Sequence, residues 1–409
     1  MRILCVHNQF RKHGGSDAVM AADEQMLAQH EEVASYTRHS NEIASTAPWE
    51  KAQLALDTLY SRRTVREITE LVGRFRPDIA YVHNVFPLIS PSLFHVLHRL
   101  GVPSVHVIHD FRLWCPNSRF YVNGQPCQRC QMGNYWPAIS QRCVHGNAAY
   151  SALFAGSLYL NRKLGFTQKI GGYICLTEFA KKLLLQSEIP EQAIHVCPNH
   201  IDTSAFTPQY GGGRFVLYLG GLYRDKGVMT VAKAFRQLPH IPLKFVGTGD
   251  AEQELRDYIQ EHHLSNVEIV GFKSGQEKLE YLRNSMFTIV ASHCYETFGL
   301  VVLEAFASGK PVVASAIGAL PYIIEPQETG LLVQPQDADD LAAKVRWLYE
   351  HPDQIDSMGR KARAQVERKY DSRFRFASLH AIFSEVIERS RTQPGRLDAE
   401  SEKVASLVD

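Results

Sequence analysis

The sequence contains no stretch of about eighteen uncharged apolar residues, the minimum for a bilayer-spanning helix. Its longest candidate, from Tyr150 to Leu160, stops at Asn161, Arg162 and Lys163. No export signal is expected either, since only Ile3, Leu4, Cys5 and Val6 stand between Arg2 and His7, too few for a signal-peptide core. The eight cysteines are therefore expected to be reduced, and the expected location is the cytoplasm, at most peripheral on the inner face of the membrane. An excess of charge is lacking too. Lys and Arg number 44 and Asp and Glu 43, a net charge of +1 that argues against a nucleic-acid partner. That balance hides a local scarcity of acids: from Arg99 to Lys182 there are ten Lys and Arg but only Asp110 and Glu178. Residues 1–205 sum to +4 and the remainder to −3.

What the sequence does have is length and alternation. Its 409 residues suit two domains at roughly 150 residues each, plus excursions. Short Val- and Ile-rich runs alternate with amphipathic stretches of helix length: Arg2 to Val6, Glu32 to Tyr36, Asp78 to His83, Pro103 to His109, Gly172 to Leu176 and Ala193 to Cys197. Helices are expected at Asp17 to Gln29, Leu54 to Phe75 and Ser90 to Leu100. A second series of strands starts at Phe215. This pattern predicts an α/β protein of two doubly wound, Rossmann-like parallel-sheet domains facing across a cleft. The expected boundaries are 1–205, with a Cys-rich insert at 110–146, and 206–370. A terminal helix over 371–390 would pack back on the first domain, and a mobile tail would cover 391–409.

Ligands of open α/β sheets bind beyond the carboxyl ends of the strands. Glycines and charges gather at those places: Gly15, His109, Gly221 with Arg224 and Lys226, Gly249, and the segment from Glu296 to Glu304. Phe298 to Ser308 reads as a buried helix ended by Gly309, and it carries Glu304. A buried carboxylate needs a partner. That partner is either a nearby Arg or a backbone amide, or the paired hydroxyls of a ribose, which offer two donors to one carboxylate. Glu296 stands ready for sugar hydroxyls, and the backbone N–H groups of Phe298, Gly299 and Leu300 for a phosphate. Arg224 and Lys226 match a diphosphate, or alternatively a solvated turn. Gly247 and Gly249 lack the third glycine of a dinucleotide fingerprint, since Glu252 stands there, so NAD binding is not supported.

Taken together, the glycine pair after the first strand, His109 and Asp110 after the fourth, the Gly221-to-Gly227 segment and the Glu296-to-Glu304 segment resemble the retaining GT-B glycosyltransferases of family 4 (group 1). The resemblance runs to about residue 390. It implies a nucleotide-diphospho sugar donor held mainly by the C-terminal domain and a glycan or lipid-linked acceptor on the N-terminal one, in synthesis of a surface polysaccharide or glycolipid. It also implies that Arg224 and Lys226 hold the diphosphate and Glu304 the ribose. Glu296 and the backbone at Phe298, Gly299 and Leu300 would hold the sugar and distal phosphate. Gly15 would approach the diphosphate from the other side of the cleft, and His109 would lie near the reacting sugar. Members of the family use no catalytic metal, so the cations are expected to do that work. One departure stands out: Asp17 occupies the position where the family usually has Glu. Alternatives are a nucleotide-sugar 2-epimerase of the same fold and a non-catalytic sugar-nucleotide-binding protein.

Two further features fall outside those motifs. Cys115, Cys127, Cys130 and Cys143 crowd a loop rich in Gly, Pro and Asn. Four thiolates around a structural zinc ion could fold such a loop, the alternatives being redox thiols, a disulfide or unlinked buried cysteines. Cys5, Cys175, Cys197 and Cys294 are expected in the core. The stretch from Asn147 to Lys169 joins apolar residues to Arg162, Lys163 and Lys169. It reads either as a helix packed on the sheet or as a contact with anionic membrane, extended by Arg62, Arg63 and Arg66.

Overall fold

The computed structural model describes residues 1–10, 14–43, 54 and 56–392. The chain forms two compact units. One comprises Met1–Val122, Cys127–Cys197 and the chain from Phe376 onward; the other comprises Asn123–Pro126 and Pro198–Arg375. The expected tail beyond residue 392 lies outside the described residues.

The first unit contains strands β1 (Arg2–Gln9), β2 (Glu32–His39), β3 (Ile79–Val82) and β4 (Ser104–Val107). A short hairpin, β5 (Tyr121–Val122) and β6 (Gln125–Pro126), precedes β7 (Gly172–Cys175) and β8 (Ile194–Val196). The sheet order is β2-β1-β3-β4-β7-β8, with parallel pairing throughout. In the second unit β9 (Phe215–Leu219), β10 (Leu243–Val246), β11 (Val267–Gly271), β12 (Ser285–Val290), β13 (Val312–Ser315) and β14 (Gly330–Val333) are ordered β11-β10-β9-β12-β13-β14. Two doubly wound parallel sheets are thus present, as the alternation predicts.

Burial on both faces explains why the strands read as continuous apolar runs. Ile3, Leu4, Cys5 and Val6 are all fully buried, as are Val216 and Leu217 in the second sheet. Helix Val228–Arg236 covers one face of that sheet with Val228, Val231, Ala232 and Phe235. The polar Arg2 and Gln9 flank the run in β1, so the strand ends where water begins.

The structure corrects the expected helix from Leu54 to Phe75. A new helix starts at Arg62, because the Ser61 hydroxyl accepts from the Thr64 N–H and caps it. The Ser61 N–H in turn reaches the hydroxyls of Ser90 and Ser92, at 3.1 and 3.3 Å. Ser90 has a left-handed backbone (φ 63°), so the following helix begins only at Ser92.

Helix Arg375–Thr392 belongs, from Phe376 on, to the first unit. Phe383 packs edge-on against Tyr81 at 5.1 Å between ring centroids, and Phe376 against His30 at 4.5 Å. Val386 lies so close to Gly171 and Gly172 that a Cβ at either would approach it to 2.9 Å. Those glycines let the helix sit directly on the start of β7.

Candidate functional site

In the second unit the strand order reverses between β9 and β12, the position where loops part and a ligand can enter. The loop after β9 carries Arg224 and Lys226 in one 3-10 turn. The loop after β12 carries Ser292, His293 and Glu296. These two loops meet: Lys226 Nζ donates to Glu296 Oε1 at 2.6 Å, and the Ser292 hydroxyl donates to the same oxygen. His293 ties the loops further, its N–H donating to Asp225 O at 2.8 Å and its ring bonding the Thr230 hydroxyl at 2.9 Å. Burial would lower the Lys226 pKa, but the Glu296 carboxylate outweighs it and holds the ammonium above its ordinary value. Lys226 is thus a fixed cation that still keeps a third of its side chain in solvent.

Arg224 points elsewhere. Its guanidinium is largely exposed and pairs with Glu254 at 2.7 Å, so the two cations face different carboxylates. Glu304 lies on helix Leu300–Ala307 and has a partner, Lys278 Nζ at 2.7 Å. The partner is thus a cation, but a lysine and not the arginine or backbone amide expected. Lys278 went unnoticed in the sequence because it sits on a separate helix, Gly275–Asn284, where it looks like any solvated lysine.

The helix bearing Glu304 starts two residues later than expected, at Leu300, because Gly299 adopts φ 108° and turns the chain into it. Phe298, just before, is buried and anchors the turn. Gly221 accepts the Tyr218 hydroxyl on its carbonyl at 2.9 Å. Gly249 is glycine for a packing reason: a Cβ there would lie 2.1 Å from Leu222 O. Its backbone braces the loop after β9.

In the first unit the order reverses between β1 and β3. Gly15 opens the helix Gly15–Leu27 that follows β1. Asp17 makes up for its short side chain with two local bonds: Oδ2 accepts the Gly14 N–H at 2.8 Å and Oδ1 meets His7 Nε2 at 2.7 Å. Burial would raise the Asp17 pKa, yet these bonds hold it below the ordinary value. The shorter carboxylate thus caps its own helix and clamps it to β1.

His109 emerges just past β4 and meets a residue that the sequence reading missed. His83 Nδ1 and His109 Nε2 stand 2.7 Å apart, with the rings stacked at 4.8 Å. One proton lies between them, so one imidazole donates and the other accepts. Asp110 and Arg112 line the same small cavity as this pair.

The insert holds its cysteines free of disulfides, with Cys115 and Cys130 buried and Cys127 and Cys143 partly so. All four line one cavity. Among the described residues no three His, Cys, Asp or Glu side chains stand in an arrangement that could hold a metal ion as they are. Burial pushes Cys115 up to about 11 and Cys130 up to about 12. Cys5, Cys175, Cys197 and Cys294 are buried.

Helix Ala148–Lys163 turns Ser151, Ala155, Leu158 and Asn161 inward and leaves Tyr150, Tyr159 and Leu160 exposed. Part of the expected basic surface is spent internally. Arg162 pairs with Glu188 at 3.1 Å, Lys169 donates to Leu164 O at 2.8 Å, and Arg63 binds Glu42 and Glu67. Among the described residues no helix is long and apolar enough to cross a membrane.

Comparison with known proteins divides along the chain. The model of Glycosyltransferase Family 4 matches residues 32–205, and that of Glycosyl transferases group 1 matches residues 202–365. The D-rhamnosyltransferase WbpZ of Pseudomonas aeruginosa is 34% identical over 39% of this chain and 42% of its own length. An MMP alpha-(1->4)-mannosyltransferase of Mycolicibacterium hassiacum is 27% identical over 51% of this chain and 53% of its own. The chain thus spans about half the length of these relatives. Among solved structures, a glycosyltransferase from Rickettsia africae superposes with a TM-score of 0.68 at 16% identity, covering 94% of this chain and 98% of that one. Anabaena HepE in complex with UDP gives 0.63 at 17% identity over 96% and 100%. These likenesses establish a shared GT-B fold.

Proposed function

This chain belongs to the group 1, family 4 glycosyltransferases, and from that premise we propose that it moves a hexosyl group from a nucleotide-diphospho sugar to a glycan or lipid-linked acceptor with retention of configuration. The observation that carries the reading is the meeting of Lys226 and Glu296, delivered by the loops after β9 and β12 at the reversal of strand order. An ammonium fixed there is placed to take up the charge of a departing diphosphate. Arg224, on the same turn, joins it by leaving Glu254.

Glu296 exchanges its bond to Lys226 for hydroxyls of the donor sugar, and the backbone at Phe298, Gly299 and Leu300 takes the distal phosphate. Glu304 exchanges Lys278 for the ribose hydroxyls. Gly221 and Gly249 keep the loop around the diphosphate tight, and Gly15 opens the corresponding helix of the other unit. His109 serves the reacting sugar, with His83 fixing its ring. The matched motifs supply no carboxylate pair of the kind retaining hydrolases use to flank a scissile bond. The acceptor hydroxyl therefore enters on the face that the diphosphate leaves. That stereochemistry separates this reading from a 2-epimerase, which would transfer nothing.

WbpZ is described as a D-rhamnosyltransferase and HepE was solved with UDP. Both support a nucleotide-sugar donor; the role in surface polysaccharide or glycolipid synthesis is part of the proposal. The exposed Tyr159, Leu160 and Lys163 are the part of the first unit proposed to touch anionic lipid. Co-sedimentation with anionic vesicles at low and high salt tests that contact, and no binding at low salt removes it.

The transferase reading is tested by screening UDP-, GDP- and ADP-sugars for release of nucleoside diphosphate in the presence of lipid-linked and glycan acceptors. The product's anomeric configuration is then read by NMR. Retention is expected; inversion overturns the mechanism.

A further inference from the structure

The insert between Cys115 and Cys143 owes little of its shape to regular structure. It holds a hairpin of two-residue strands and one helix of five residues, Trp136–Ser140. Its backbone is nonetheless forced: Ser118, Phe120, Asn123 and Arg142 all adopt left-handed conformations, with φ of 66°, 46°, 50° and 52°. L residues resist this region, and such strain persists only where the surroundings over-determine it. Phe120 stacks on Phe111 at 4.8 Å, which anchors the beginning of the insert. Its middle is tied at Gln131, whose side-chain amide donates to Leu183 O at 2.8 Å and whose backbone carbonyl accepts from Arg162 at 3.3 Å, while Met132 and Trp136 stay 66% and 68% exposed.

The four cysteines are distributed along the whole insert. Each sits in its own turn, with the backbone already tied: Cys115 N–H to Phe111 O, Cys127 N–H to Phe120 O, Cys143 N–H to Ala138 O, and Cys130 O to Gly133 N–H. Their side chains line one cavity, whose other walls include Val122, Pro137 and Ala138. Asn117, Tyr121 and Gln141 complete the polar lining, with no carboxylate or imidazole among it, so the anionic ligands it can supply are thiolates. A set of four thiolates selects a soft, tetrahedral ion.

We propose that Cys115, Cys127, Cys130 and Cys143 bind one structural zinc ion as a tetrathiolate that locks the insert. The four thiols release four protons to solvent as four sulfur–zinc bonds form. Cys115 Sγ donates to Asn117 Oδ1 at 2.9 Å, and Arg129 Nε lies 3.4 Å from Cys127 Sγ. Zinc binding requires the Cys115 thiol to give up its bond to Asn117 and the four sulfurs to draw together around the ion. Arg129 then serves as a donor to a coordinated thiolate and offsets part of the site's negative charge.

The test reads metal and thiols, so its outcome is independent of sugar transfer. The full chain is purified in reductant from zinc-supplied cells, and its metal is measured by plasma mass spectrometry. One zinc per chain is expected, with loss of it in C127S/C130S and retention in C175A. Should the double variant fail to fold, alkylation of the unaltered chain decides. Cys115, Cys127, Cys130 and Cys143 should resist the reagent until a chelator is added, then react together. Cobalt(II) substituted for zinc should give the intense visible bands of a tetrahedral tetrathiolate. Substoichiometric metal, an iron–sulfur chromophore, or disulfides among these cysteines would each overturn the proposal.

Discussion

Replacing Lys226 with Ala probes the proposed leaving-group contact directly. The Lys226 side chain is 34% exposed and that of Glu296 16%, with 2.6 Å between their charged atoms. Glu296 is largely buried but keeps the Ser292 hydroxyl as a donor, and part of the Lys226 side chain is in water. The pair therefore contributes about 1 kcal/mol to stability, and Tm should fall modestly. Its effect on turnover should be far larger, because a fixed charge aimed at a developing anion is worth about 3–4 kcal/mol. That corresponds to a drop in kcat on the order of 10²- to 10³-fold. The loss should have two parts. One is the missing cation; the other is Glu296, left as an unneutralised carboxylate beside the leaving diphosphate. Adding Glu296→Gln to the K226A background should therefore cost less than Glu296→Gln alone. The assay is release of nucleoside diphosphate from the accepted donor, with circular dichroism to show that K226A remains folded. Near-normal turnover in a folded K226A protein would refute the assignment.

Three other perturbations separate the remaining roles. Glu304→Gln should weaken binding of the nucleoside diphosphate about tenfold, in line with a lost charge-assisted hydrogen bond of about 1.5 kcal/mol, and leave inorganic pyrophosphate unaffected; equal loss for both ligands would detach Glu304 from the ribose. His83→Phe should reduce kcat about tenfold and shift its pH profile by releasing His109, while nucleotide affinity stays unchanged, and an unaltered profile would reduce His83 to packing. Lys310, 1% exposed, has its pKa pushed down to about 8 by burial. The unfolded chain, with an ordinary lysine pKa of about 10.4, then binds more protons, so stability rises with pH between about 8 and 10. Below pH 8 the full cost, up to about 3 kcal/mol, is present, and Lys310→Met should raise Tm at pH 7 with the gain fading between about pH 8 and 10. A gain independent of pH would show that the charge is not the cause.

The two sheets were legible because their strands are buried on both faces, which leaves uninterrupted apolar runs such as Ile3 to Val6. Helix boundaries were less so. Ser61 sits on what looks like the polar face of one long helix, and only its bonds to Thr64 and to Ser90 and Ser92 reveal a cap. The charges of the second unit's loops could be read from their positions after strands, but not their pairing. Lys278 finds Glu304 from a separate helix, across 26 residues, and that depends on which helix lies alongside. His83 did leave a signal. β3 and β4 are parallel neighbours, with Val82 in register with His106, so histidines just past both strands emerge at one edge. Asp17 was visible as a departure from the family pattern; its use as a cap with His7 depended on the fold.

The central claim is that the loops after β9 and β12 hold a nucleotide-diphospho sugar. Isothermal titration calorimetry of the full chain with UDP, GDP and ADP tests it most directly. One of the three should bind at a single site, with affinity at least tenfold weaker in K226A, the loss expected for a charge-assisted contact worth about 1.5 kcal/mol or more. Absence of binding by all three, or binding that K226A leaves untouched, would contradict it.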